Sequence, residues 1–290
     1  MARVKQPKEK FKRSLNRSLK GDIGIFILLA IAGVAMVIPL VFAIGQSLKP
    51  LEEFWVFPPR LFPVNPTLKN FSDLFRLMGA SWVPFSRYIF NTILISVVGT
   101  AGNVILSSYA AYAKIKFPGR KFLFTIIVYS LMFNSTVTGI TNFLTMSWLG
   151  WVDTYFAIIV PAWCTTFGLY LMKQFMDTSV NDSVLESARL EGASENKIFW
   201  TIAMPMVKPA WITLIIFAFK DLWNTGANTY IYSEQLKTFN YAISQLVTTG
   251  IARTGVSAAS TVVMMIVPIL VFVITQSNVI ETMSTSGMKD

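Results

Sequence analysis

Histidine is absent from the chain, and Cys164 is its one cysteine. Imidazole acid–base catalysis is therefore excluded, no disulfide can close within the chain, and a zinc site lacks its usual ligands. A lone thiol inside an apolar run, with no base to activate it, reads as a small buried hydrophobe. The sequence holds no G-x-x-x-x-G-K-[ST] loop that could cradle the phosphates of ATP. The expectation is no catalytic residue, no metal and no cofactor. Two features remain that could do chemistry. One is a compact polar run, "ESARLEGASENKIFWTIAMP", at 186–205; the other is a set of amides in apolar surroundings, Asn91, Asn103, Asn134, Asn142 and Asn224.

The polar run reads as two short helices around a turn. Asn181 or Asp182 can cap the first, and Leu185, Ala188 and Gly192 recur at helical spacing, which lays small and apolar groups along one face open to another protein. Glu186 falls in the first turn, where the helix dipole favours a carboxylate, and Arg189 is placed to pair with it. Gly192 permits a sharp turn or a close backbone approach. Ile198, Phe199 and Ile202 form the stripe of a second helix, expected to break near Pro205 because proline disfavours the helical conformation at Met204. Pro205 and Pro209 then suit the opening of the next helix. A helix floating among lipid headgroups is the competing reading, and Asp182, Glu186, Glu191 and Glu195 speak against it, since lipid-seeking polar faces are rich in Lys and Arg.

The elements that must position these groups are membrane spans. Hydrophobic residues make up 53% of the chain and charged ones only 14%, which places it outside the soluble class. Continuous apolar runs of spanning length predict helices at 23–48, 85–113, 122–147, 155–171, 206–219 and 257–279; the fifth is short, with Lys220 and Asp221 at its far end. The fold class is thus all-α, a polytopic membrane protein of six transmembrane helices with the helix-turn-helix between helices four and five. Closed barrels are excluded by the lack of alternation. Lys and Arg crowd 1–22 and recur at Lys114, Lys116, Arg120 and Lys121, so both segments, both termini and the polar loop are expected on the cytoplasmic side. The net charge of +10 is explained by that topology and by anionic lipid, with no nucleic acid partner. The organisation expected is a basic N-terminal segment at 1–22, a transmembrane domain at 23–280 containing the loop 181–205, and a C-terminal tail at 281–290. The first apolar run is too long for an ordinary cleaved signal and reads as an anchor. Between the first two spans, a proline-rich outer segment ends in an amphipathic stretch around 71–78. A second outer segment, 223–256, carries Tyr230, Tyr232, Phe239 and Tyr241, suited to a partner or to ordinary interfacial anchoring.

The polar run resembles the cytoplasmic loop of ATP-binding-cassette importer permeases, in which E-A-A is followed after three residues by G, then after nine by I-x-L-P. Glu186, Ala188, Gly192, Ile202 and Pro205 meet that pattern at its spacing, with Ser187 and Met204 as the two changed positions. "SLKPLEEFWVFPP", "NTILISVVGT", "SYAAYAKIKFPGRK", "LGWVDTYFAIIVPA", "RLEGAS" and Trp223–Asn224 resemble the carbohydrate branch, specifically the smaller permease subunit of maltose-type transporters. The tail "STSGMKD" is similar to that branch's small-residue ending, with Asp290 in place of its final glycine, and "MFNSTVTGITNFL" departs from it by lacking prolines. The resemblance implies a second homologous permease, a cytoplasmic ATPase dimer that grips the loop, an extracellular solute-binding protein, surrounding membrane lipid, and location in the plasma membrane of a prokaryote. It implies that Glu186, Ser187, Ala188, Gly192, Ile202 and Pro205 couple the chain to the ATPases.

For the substrate path the expected residues are Asn91, Asn134, Asn142 and Asn224, whose amides match sugar hydroxyls; interhelical hydrogen bonding is the alternative for each. An ion-coupled secondary transporter of small polar solutes is the rival function. It would need acidic or imidazole relays within the membrane, and the middles of the predicted spans hold none. An intramembrane enzyme would need a cluster of reacting groups that the sequence does not offer.

Overall fold

A computed structural model describes residues 19–58, 60–79, 82–114, 120–132, 135–226, 230–247 and 254–286. Among them the chain is helical and no strand occurs. In chain order the helices are α1 (Leu19–Ser47), α2 (Lys69–Gly79), α3 (Phe85–Lys114), α4 (Arg120–Ser130), α5 (Ser135–Trp148), α6 (Phe156–Trp163), α7 (Thr166–Ser179), α8 (Asp182–Leu190), α9 (Glu195–Ile198), α10 (Met204–Met206), α11 (Lys208–Trp223), α12 (Phe239–Val247) and α13 (Thr254–Ser286). A hydrocarbon layer offers backbone groups no partner, so long apolar segments close their hydrogen bonds internally as helices.

Four stretches are long and apolar enough to cross a membrane: Gly21–Ser47, Phe85–Ala113, Phe156–Ser179 and Thr254–Gln276. Glu195–Met206 with Lys208–Trp223 would add a fifth, but the two pieces meet at 82°. The second predicted span, 85–113, therefore appears at its expected bounds. The fourth is displaced toward the polar loop: Pro161 brings α6 to an end, and α7 restarts at Thr166 and continues to Ser179. The predicted third span, 122–147, is divided into α4 and α5 by a turn at 131–132, and neither piece reaches spanning length. At the end of α4, Leu131 N is shared between Ile127 O at 3.3 Å and Val128 O at 3.1 Å and Met132 N donates to Tyr129 O at 3.0 Å, so the helical ladder tightens into a turn. Cys164 lies at the α6–α7 break and is exposed, which corrects the expectation of a buried thiol: the unwound backbone turns it off the helix face.

The hub is α3, which packs against α6, α7 and α11, while α11 also packs on α13. Close approach at the hub depends on Gly102, where an added β-carbon would lie 2.0 Å from Trp163 Nε1. That indole donates to Val98 O at 3.0 Å and pins α6 to α3. One apolar core joins α3, α7, α8 and the start of α11, around Leu185, Ile198, Phe199 and Val207. A second lies at the opposite end of α3, where α2, α12 and α13 enclose Tyr88, Phe239 and Trp223. The amphipathic stretch expected at 71–78 is α2, and Phe239 of the aromatic outer segment is core rather than surface. By contrast, α1 contacts the rest through α13, and the most apolar window of its span has no buried residue.

Candidate functional site

The polar run folds as α8, a tight turn and α9. Asn181 occupies the N-cap position of α8 with its backbone carbonyl accepting from Val184 and Leu185, and its side chain makes no capping bond. At the other end Gly192 takes φ +82°, with Gly192 N donating to Arg189 O and Ala193 N to Ala188 O, the paired closure of a left-handed cap. A β-carbon on Gly192 would meet nothing within 4 Å, so the requirement here is the turn and not close contact within the chain. Ser194 caps α9, its hydroxyl accepting from Lys197 N at 3.4 Å.

Two expectations about this loop are corrected. Leu185 and Ala188 are buried in the chain's own core, so the small-residue face turns inward to Ile198 and Phe199; what faces out is Glu186, Ser187, Leu190 and Glu191. Arg189 pairs with Glu195, Nε to Oε1 at 2.8 Å, and not with Glu186, because the turn at Gly192 brings α9 back across α8. Hydrogen bonding to Glu195 raises the Arg189 pKa, burial opposing it. Leu190, at the tip, is 90% exposed.

Two tyrosines missed by sequence reasoning fasten the loop to α3. Tyr112 donates to Glu195 Oε2 at 2.8 Å, and Tyr109 donates to Asn196 Oδ1 at 2.8 Å while accepting from Trp200 Nε1. Tyr109 also stacks on Phe199 with ring centres 4.1 Å apart. The signal was present in "SYAAYAK", two aromatics three residues apart at the end of an apolar run.

The second helix does not break at Pro205. A π-helical stretch over Phe199–Ala203 leads directly into α10, and Met204 is helical at φ −62°, ψ −44°. Met204 N reaches back five residues to Phe199 O, and this wider winding relieves the clash a proline ring makes with the carbonyl four residues before it. The chain turns instead at Val207, φ −104°, ψ 25°, where Trp211 Nε1 takes the carbonyl of Met204 at 3.1 Å. Ile202 is half-buried against the core and Pro205 is exposed.

The amides separate into different environments. Asn91 is fully buried and saturated, donating to Gln235 O and Lys237 O and accepting from Tyr155 OH. Asn224 caps α11, donates to Lys220 O and accepts through its backbone from Asn240 Nδ2. Asn142 is exposed on α5, and Asn134 lies outside the described residues. Asn103, in the middle of α3, bridges the α6–α7 break by donating to Ala162 O and to Thr165 Oγ1. Its Oδ1 is buried without a partner among the described residues. Asn103 and Thr165 line a cleft of about 320 Å³ between α3, the α6–α7 break and α11.

At the other end of the bundle, Asp153 takes φ 60° and gathers the 230–233 segment: its carboxylate accepts from Tyr232 N, Ser233 N and the Ser233 hydroxyl. Partial burial would raise its pKa, but the Ser233 and Tyr232 donors prevail and lower it.

Apolar helices of spanning length, with a polar helix-turn-helix fastened to their ends, define a polytopic membrane protein. Residues 103–284 match the model of the binding-protein-dependent transport system inner membrane component, and the chain belongs to that family, one of transporter permeases and not of enzymes. Protein LplC of Bacillus subtilis (strain 168) is 30% identical over 213 residues, 73% of this chain and 70% of that one. The galactooligosaccharides transport system permease protein GanQ of the same organism is 25% identical over 271 residues, 91% and 94% of the two chains. A chain from the crystal structure of a bacterial ABC transporter involved in the import of the acidic polysaccharide alginate shares the fold, with a TM-score of 0.73, 24% identity, and 91% of this chain and 99% of that chain covered.

Proposed function

We propose that this chain is one permease subunit of an ATP-binding-cassette importer. With a second homologous permease it forms a path for a sugar or oligosaccharide delivered by an extracellular binding protein, and separate cytoplasmic ATPases drive the cycle. The relatives named for galactooligosaccharides and alginate support the carbohydrate class while leaving the charge of the ligand open. The chain crosses the plasma membrane six times with both termini in the cytoplasm. In this reading α4 and α5 share one interrupted crossing and α11 makes another, its 16 residues spanning about 24 Å. The basic cluster at Lys114, Lys116, Arg120 and Lys121 supports the orientation.

The observation that carries the coupling role is the contrast within the loop. Leu190 stands almost wholly exposed beside Glu186, Ser187 and Glu191, on a turn whose other side is locked into the core and onto α3. Such a knob docks into a partner, and the rigid attachment carries the partner's movement into the spans. Ala188, Ile202 and Pro205 support the loop rather than touch the ATPase, while Gly192 sets its turn. Among the expected path residues, the saturated Asn91 holds the outer segment in place, and Asn142 and Asn224 are the described residues with exposed side chains.

Vesicles reconstituted with this chain, its partner permease, the ATPases and the binding protein test the reading. Sugar uptake is expected only with ATP and all subunits present, and Gly192→Val is expected to abolish uptake while leaving insertion intact. Uptake by vesicles holding this chain alone, driven by an ion gradient, would overturn the importer and establish a secondary transporter.

A further inference from the structure

The cleft at the α6–α7 break combines groups that share one kind of partner. Thr165 Oγ1 already accepts from Asn103 Nδ2 at 2.6 Å and from Gly168 N at 3.3 Å, so its remaining capacity is to donate its own proton. Asp221 sits in the last turn of α11, exposed, with no ion pair among the described residues. Thr225 lies one turn beyond it, with its hydroxyl on Asp221 O at 3.3 Å. Phe167 and Phe217 meet edge to face at 5.6 Å on the same wall, each with nearly half its surface open. None of the residues lining this cleft is a Lys or Arg. The larger groove along α3 and α11, about 680 Å³, is lined chiefly by aliphatic and aromatic side chains and offers no comparable set.

Saccharide hydroxyls donate to a carboxylate and accept from a fixed hydroxyl, while the apolar face of a sugar ring packs on phenyl rings. A second negative charge within a few ångströms of Asp221 is disfavoured, and no Lys or Arg lines the cleft to offset it. We propose that the cleft between α3, the α6–α7 break and α11 is a sugar subsite of this subunit that admits uncharged saccharides and rejects uronates and sugar phosphates, with Thr165 and Asp221 as the contacting groups and Phe167 and Phe217 as the stacking wall. Asn103 is the positioning residue, since its amide holds Thr165 in orientation across the broken span.

This inference rests on the importer reading and deepens it. The complete importer, in nanodiscs and without the binding protein, is titrated by equilibrium dialysis with two labelled probes of matched size, galactobiose and digalacturonate. Galactobiose is expected to bind at least tenfold more tightly, and Asp221→Lys is expected to reverse that order. Equal binding of the two probes by the wild type, or an unchanged order in Asp221→Lys, would overturn the subsite. ATP hydrolysis by each preparation, measured in parallel, separates the two readings. A complex that hydrolyses ATP in step with transport but shows no charge preference refutes the subsite alone, whereas a chain that never assembles with an ATPase refutes the importer.

Discussion

Leu190 gives the sharpest test of how this chain meets its motor. Replacing it with Asn keeps the branched outline, makes the side chain polar and adds no charge, so the acidic neighbours Glu186 and Glu191 are not confounded. The side chain is 90% exposed, so almost nothing in the chain's own fold depends on it, and its stability should change by less than about 0.5 kcal/mol. Burying a whole leucine contributes about 1.5–3 kcal/mol, and nearly all of that surface is still available for a partner to cover. Docking should therefore weaken by about 1.5–2.5 kcal/mol, a rise in Kd of about 10- to 70-fold at 1.4 kcal/mol per decade. The assay is a titration of purified ATPase against nanodisc-embedded permease complex by biolayer interferometry, with the melting temperature of the permease complex recorded alongside. A Kd within twofold of the wild type at unchanged melting temperature would refute the argument that this tip is the docking knob.

Gly192→Asn should retain ATPase binding within a few-fold, because asparagine tolerates the left-handed conformation, while Gly192→Val should lose about 1–2 kcal/mol to strain, read as a drop in melting temperature and in co-purified ATPase. Tyr112→Phe removes the bond to Glu195 and is expected to destabilise the loop by about 1–2 kcal/mol, measured as faster amide exchange across α9. Gly102→Ala forces Trp163 off Val98 O and should lower the yield of monodisperse protein in size-exclusion chromatography, whereas Gly139→Ala, with open space at its β-carbon, should not. For Asp153 the folded pKa is depressed, so its contribution is present above the unfolded carboxylate pKa and fades as pH falls through the folded value. Proteolysis within 230–233 is expected to accelerate only in that acidic range, and Asp153→Asn should show the acid-range rate already at neutral pH.

What the sequence disclosed follows from which constraints are local. The second span was legible almost to the residue, because 85–113 is predominantly apolar and holds no proline or acidic residue that would stop it. The third was not, since apolar content alone cannot report the turn at 131–132 that divides it. Spacing rules assigned Arg189 to Glu186 on one helix; they could not see that Gly192 folds Glu195 back to a better position, 2.8 Å away. The proline rule failed at Met204 for a related reason, as the π-helical winding over Phe199–Ala203 begins at Phe199, whose ring packs on Tyr109 and Tyr112 of a distant helix. Asn91 and Asn103 look alike in sequence, yet one is saturated by a distant segment and the other lies at a cleft, a difference created by tertiary contacts.

The loop and the cleft are built on the same two helices, and this gives the proposed coupling a physical route. The loop-side end of α3 holds Tyr109 and Tyr112 on α9, while its middle holds Asn103 at the α6–α7 break. From the 82° corner at Val207, α11 extends to Asp221 at the cleft. Val207 is fully buried and the corner is bridged by Trp211, so a push on the loop is passed into α11 instead of being absorbed by a slack hinge. A displacement of α3 and α11 with the loop would reshape the cleft, whose third wall is the α6–α7 break. Interrupted backbone on that third wall, at Cys164 and Thr165, is where the strain of such a movement would be accommodated, since no continuous helical ladder has to be broken there.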